Sequence, residues 1–312
     1  MIKVTQEDDM SYYYRVYGLN IQSKILCTEL IELNESERTF IDVYVELGEV
    51  SRKIQEQIES GTYSHFDSHN MWFRIPMVAT YWVTDGNRIV IEEEPEAHLD
   101  EIKQFLLGSC LGMIMLQQDT IAIHGGSVVM NNQGLLITGD RGAGKSTLTS
   151  ALRLKGYPLV ADDVSALDVS QLLIQPAYPQ QKVCKDMMDQ LGYDKSKYKS
   201  INIDHKVKYL IPTKDQFKSE PVRLRGVVEL VCSDETEDIK VEELKGSQKL
   251  MTLYKNIYRI EMKIISGVNP NFFKQCVELS KGIPVYRITR PREGWSVDHQ
   301  IEWVESRFLN EA

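Results

Sequence analysis

The chain has 312 residues, 42% of them hydrophobic, and a formal net charge of −9. That size and apolar content predict a globular protein of one large or two modest domains, and the acidic balance argues against a nucleic-acid backbone as main partner. Five cysteines without C-x-x-C spacing exclude a zinc site or a disulfide framework and fit a reducing cytoplasm.

The first ten residues contain Glu7, Asp8 and Asp9 and lack the basic-then-apolar order of a signal peptide, so a cytoplasmic location is expected. Strand patterns follow at 12–17, 39–45, 78–84 and 88–92, the last two flanking Asp85-Gly86-Asn87, a hairpin signal. They predict a β-rich N-terminal domain over 1–117 that ends in a linking helix over about 97–117. Leu99, Ile102, Leu106 and Leu107 give that helix an apolar face. Its most apolar part, 105–116, is too short to span a bilayer, so no membrane partner is expected.

From 118 to 312, strand and helix patterns alternate, which is α/β patterning; the whole chain reads as α+β. Residues 121–130 predict a strand followed by the turn-forming group Asn131-Asn132-Gln133-Gly134. If the hairpin turn centres near Asn132 and Gln133, Met130 lies opposite Leu135, and His124 falls near Arg141.

The apolar run Leu135-Leu136-Ile137-Thr138 leads into Gly139-Asp140-Arg141-Gly142-Ala143-Gly144-Lys145-Ser146, which matches G-x-x-x-x-G-K-[ST]. Residues without Cβ let consecutive backbone N–H groups converge on phosphate oxygens, Lys145 adds charge, and the Ser146 hydroxyl can ligate Mg²⁺. The helix that starts there, with Thr147 in its first turn, turns its positive dipole end toward the same anion. The nucleotide-binding set is therefore Gly139, Arg141, Gly142, Ala143, Gly144, Lys145, Ser146 and Thr147, with ATP and Mg²⁺ as cofactors.

A helix over 145–155 is about 16 Å long. Gly156 ends it, and the strand over 157–161, also about 16 Å, carries the chain back. Asp162 and Asp163 thus arrive beside the phosphates, where one can serve Mg²⁺ and the other an acceptor hydroxyl.

Residues 175–218 read as a long excursion with Pro176, Pro179 and Pro212 and the cations Lys195, Lys197, Lys199, Lys206 and Lys208. Lys206 and Lys208 are expected either to close over phosphates and substrate or to form a solvated face. A helix over 270–281, a strand over 285–289 and a last helix capped by Ser296 complete the chain.

The order Ile123-His124-Gly125, the glycine loop, then Leu159-Val160-Ala161-Asp162-Asp163 resembles the P-loop catalytic domain of the HPr kinase-like family. With Tyr17-Gly18-Leu19-Asn20 and Leu106-Leu107-Gly108 the layout is most similar to lasso-peptide precursor kinases, which phosphorylate a C-terminal serine. The resemblance implies that Asp162 is the catalytic acid/base with His124 as its neighbour. It also implies that Lys145 neutralises phosphate charge, that Ser146 and Asp163 serve the metal, and that the chain forms a homo-oligomer. HPr kinases usually carry Ser where Arg141 stands and Glu where Thr147 stands, departures that point away from phosphorolysis and from HPr itself as substrate.

The combined reading is a serine kinase acting on a peptide, with a small-molecule kinase or an HPr-type regulatory kinase as alternatives. An ATP-gated interaction protein is a third class, against which the Asp162-Asp163 pair argues, because a pure binder needs no acceptor-side base.

Overall fold

The computed structural model describes residues 10–203 and 206–309. They divide into two compact units, one running to Thr120 and including Glu261–Asn269, the other made of Ile121–Ile260 and the residues from Pro270.

The first unit is built on one eight-stranded sheet. In chain order its strands are β1 (Tyr12–Val16), β2 (Leu19–Ser23), β3 (Ile31–Glu32) and β4 (Val43–Leu47), then, after α1 (Arg52–Glu59), β5 (Ser64–Phe66), β6 (Asn70–Ile75), β7 (Ala79–Thr84) and β8 (Arg88–Glu93). The spatial order is β3-β1-β2-β4-β8-β7-β6-β5. The aromatic runs belong to this sheet: Tyr14 and Trp72 are fully buried, as expected of large side chains that fill a core.

The expected helix over 97–117 is continuous but irregular. It comprises α2 (Leu99–Phe105), a π turn at Leu106–Cys110, and α3 (Leu111–Gln117), and the π turn coincides with Gly108. Buried Lys263 of α7 (Ile260–Ser266) donates to the Leu116 carbonyl at 3.0 Å and meets Asp119 at 2.5 Å, tying that segment to the first unit.

The second unit contains β9 (Ile121–Met130), β10 (Gln133–Gly139), α4 (Lys145–Leu154), β11 (Leu159–Ala161), β12 (Val164–Asp168) and β13 (Leu173–Gln175). Next come β14 (Gln180–Cys184), α5 (Lys185–Gln190), β15 (Ser200–Ile203), β16 (Lys206–Pro212), β17 (Val222–Ser233), β18 (Lys240–Glu243) and α6 (Gly246–Lys255). The chain ends with α8 (Pro270–Gly282), β19 (Val285–Pro291) and α9 (Val297–Phe308). The main sheet runs β10-β9-β12-β13-β17-β19-β18, and β10 also pairs with β17, so the path closes on itself. Leu135 and Ile137 pack with α4 and α9 on one face, and Leu136 packs with α6 and α8 on the other. Alternation along one strand thus yields helix, sheet and helix layers, an α/β architecture.

Two local expectations change. The hairpin turns on Asn131 and Asn132, both with positive φ, and pairs Met130 with Gln133, two residues from the expected register. Asparagine tolerates the left-handed conformation that a two-residue hairpin turn requires. The excursion over 175–218 is not an open loop: β14, β16 and β15 form a three-stranded antiparallel sheet packed through Val183, Met188 and Ile211.

The chain does return from α4 in the direction of β10, but β9 lies between, antiparallel to both β10 and β11. Gly126 permits this packing: a Cβ there would stand 2.7 Å from both the Asp162 carbonyl oxygen and Thr149 Oγ1. Gly126→Ala is therefore expected to destabilise the protein by about 1–3 kcal/mol through forced backbone shifts. Urea unfolding checks this, and an unchanged midpoint would contradict the packing.

Candidate functional site

The glycine loop lies between the C-terminal end of β10 and the first turn of α4. Gly139, Gly142 and Gly144 have φ of 134°, 85° and 105°, a region unfavourable to other residues. At Gly139 a Cβ would also approach the Leu230 carbonyl oxygen to 2.2 Å.

Arg290, at the end of β19, donates through Nε to the Ala143 carbonyl at 2.8 Å and through Nη2 to the Gly142 carbonyl at 3.3 Å. A planar trans peptide carries its C=O and N–H in opposite directions, so the carbonyl facing Arg290 sends the Gly144 N–H to the other side of the loop. Lys145 is buried, with Nζ on the Gly139 carbonyl at 2.8 Å and the Asp140 carbonyl at 3.1 Å. Burial pulls its pKa below the usual lysine value. Ser146 and Thr147 are half-buried at the start of α4, and Arg141 is exposed.

His124 is fixed through its backbone. Its N–H donates to the Asn256 carbonyl at 2.8 Å, and its own carbonyl accepts from the Thr138 hydroxyl at 2.8 Å. The side chain of Asn256 is in turn 3.5 Å from Glu229, a fully buried carboxylate paired with Lys255 at 2.6 Å and Arg287 at 2.8 Å. On the ring, Nδ1 lies 3.8 Å from Asp163 Oδ1, too far for a hydrogen bond, and has no other partner. Burial lowers the imidazole pKa further than Asp163 raises it, so His124 is neutral near pH 7.

The paired aspartates experience different surroundings. Asp162 Oδ2 accepts the Lys182 N–H at 2.8 Å, whereas its buried Oδ1 has no partner. Burial, then repulsion from Asp163, push the Asp162 carboxyl up to about 6. Burial also acts to raise Asp163, but His124, Lys182, Lys208 and Lys145 outweigh it and hold that carboxyl below its usual range. Two adjacent carboxyls are thus driven apart in acidity, the pattern that separates a proton acceptor from a permanent anion.

Sequence reasoning placed Lys145, His124, Asp162 and Asp163 together and left Lys208 between a lid and a solvated face; the structure brings Lys145, His124, Asp163 and Lys208 within electrostatic reach of one another, with Asp162 adjacent to Asp163. Lys206, two residues along β16, is exposed, and among the described residues no contact draws it to the carboxylates. Sequence reasoning missed Lys182, whose ammonium is strengthened by Tyr178 first and then, against burial, by Asp163 and Asp162. It also missed Tyr258, whose ring is 6.0 Å from that of His124, and Arg290. None of these belongs to a recognisable local motif; each reaches the site from a distant part of the chain.

Among the described residues, no group of three or more His, Cys, Asp or Glu side chains could hold a metal ion alone. No helix among them is long and apolar enough to cross a membrane. No family model matches the sequence, and neither does any curated protein. Among solved structures, the HPr(Ser) kinase/phosphatase from Coxiella burnetii aligns with 61% of this chain and 99% of its own, at 16% identity and a TM-score of 0.32.

The raised Asp162 carboxyl has a consequence for stability. Its folded form keeps the proton to a higher pH than the unfolded chain does, so ionisation disfavours the fold above pH 6, by on the order of 3 kcal/mol. That penalty is relieved as pH falls from 6 toward 4. Asp162→Asn, which can still accept the Lys182 N–H, should therefore be more stable than the parent at pH 8, with the gap shrinking toward pH 4. Urea unfolding at both pH values checks this; equal stability at pH 8 contradicts the assignment.

Proposed function

We propose that the chain is an ATP- and Mg²⁺-dependent phosphotransferase that phosphorylates a serine hydroxyl, with the C-terminal serine of a lasso-peptide precursor as acceptor. The observation that carries this reading is Asp162 Oδ1: a buried carboxylate oxygen with no partner and a raised proton affinity, beside a phosphate-binding loop. Resemblance of Tyr17-Gly18-Leu19-Asn20, Leu106-Leu107-Gly108 and the overall layout to lasso-peptide precursor kinases supports the choice of acceptor.

The loop fits a nucleoside triphosphate on its own geometry, because Gly139, Gly142 and Gly144 hold the positive φ values that let a tight turn aim backbone N–H groups at an anion. Ser146 and Asp163 fit Mg²⁺, which usually takes one or two protein ligands and completes its shell with water and phosphate oxygens. When bound, ATP supplies the phosphoryl group and Mg²⁺ offsets its charge.

Asp162 accepts the serine hydroxyl proton at Oδ1. Lys145 exchanges the Gly139 and Asp140 carbonyls for phosphate oxygens, and its charge stabilises the transferring group. Asp163 remains ionised throughout, held so by Lys182, Lys208 and Lys145. Neutral His124, with Nδ1 3.8 Å from Asp163, adds no charge that would compete for the metal.

Asp162→Asn is expected to bind ATP near the parental affinity and to transfer phosphate about 10²-fold more slowly. Single-turnover transfer of labelled γ-phosphate to a precursor peptide ending in serine tests this, with the same peptide ending in alanine as control. Parental rates in Asp162→Asn would remove the base assignment, and equal labelling of both peptides would remove the acceptor. In the parental enzyme the rate should rise as pH passes through about 6, where Asp162 loses its proton.

A further inference from the structure

A cleft of about 400 Å³ opens beside the glycine loop, on the side of Gly144 and Thr147. That volume falls within the range of small-molecule sites. Its other walls include Met187 and Gln190 of α5, Arg290 at the end of β19, and Trp295 in the turn before α9. Strands β10, β17 and β19 are mutually parallel, so Gly139, Ser233 and Pro291 all lie at their carboxyl ends, the edge from which the glycine loop departs.

We infer that this cleft is the nucleoside subsite, with the heteroaromatic base stacked against Trp295; the inference rests on the phosphate-loop reading above. In a loop of this type the lysine reaches the β- and γ-phosphates, while backbone amides hold the α- and β-phosphates. Lys145 is within electrostatic reach of Asp163 and His124, so the reacting end of a triphosphate belongs there. Gly144 and Thr147, which flank the Lys145-Ser146 pair, line the cleft and mark where the nucleoside end belongs.

The chemistry of the wall fits an aromatic ring. Of the four tryptophans, Trp295 is the exposed one, at 44%, whereas Trp72 is buried and Trp82 and Trp303 are partly covered. Its Nε1 donates to Asp298 Oδ2 at 2.9 Å, which orients the indole and leaves its face uncommitted. Met187 contributes a polarisable thioether to the lining, and Gln190 contributes an amide able to donate and accept hydrogen bonds. Arg290, also in the lining, is already engaged by the loop carbonyls.

The test is calorimetric titration of the full chain, Trp295→Ala and Trp295→Phe with ATP and, separately, with inorganic tripolyphosphate, which lacks the base. Trp295→Ala should weaken ATP about tenfold, the scale of base–aromatic stacking, and leave tripolyphosphate within about twofold of the parent. Trp295→Phe should recover most of the ATP affinity. Unchanged ATP affinity in Trp295→Ala, or equal loss of both ligands, overturns the subsite. A parental chain that binds neither ligand overturns the phosphate-loop reading itself and takes this subsite with it.

Discussion

Repulsion between two neighbouring carboxylates is the constraint around which the second unit's site is arranged. Asp162 and Asp163 leave β11 together and cannot separate, and Asp162 Oδ1 is shut off from solvent while Asp163 stays half-exposed, so the ionised form costs more at Asp162. The chain answers asymmetrically. Asp163 receives the cations and the imidazole, while Asp162 receives the Lys182 N–H and weaker support from the Gln181 side chain, with Oδ1 outside hydrogen-bonding geometry. The inequality comes from distant elements: Lys182 from β14, Lys208 from β16, His124 from β9 and Lys145 from α4.

This dependence on remote contributors explains what the sequence could disclose. The glycine loop is local, since one continuous stretch contains both the residues and the backbone conformations it needs. The Asp162-Asp163 pair was legible one step further out, because a helix and a returning strand of similar length bring the chain back to the same edge. His124 depended on a hairpin register. The two-residue Asn131-Asn132 turn moved that register by two, which keeps side chains on the same sheet face and so preserved the outcome.

Lys182, Tyr178, Tyr258 and Trp295 were not legible for a different reason. Lys182 belongs to a small sheet whose strands are short and polar, so residues 175–218 read as a loop until pairing between β14 and β16 is known. Trp295 looks like any exposed aromatic near a helix start; its place beside the glycine loop comes from β19 lying parallel to β17 and ending at the same edge. Where a function depends on strand order, composition and spacing are silent about it.

The two large sheets treat their borders differently, which bears on how the protein resists self-association. Closure of β10 onto β17 gives the strand that carries the phosphate loop neighbours on both sides, so its backbone offers no template to another molecule. The sheet of the first unit stays open, and it ends in strands of only two and three residues, β3 and β5. Such stubs present too few unpaired amides to recruit a foreign strand, and the second sheet's own margin, β18, is likewise only four residues long.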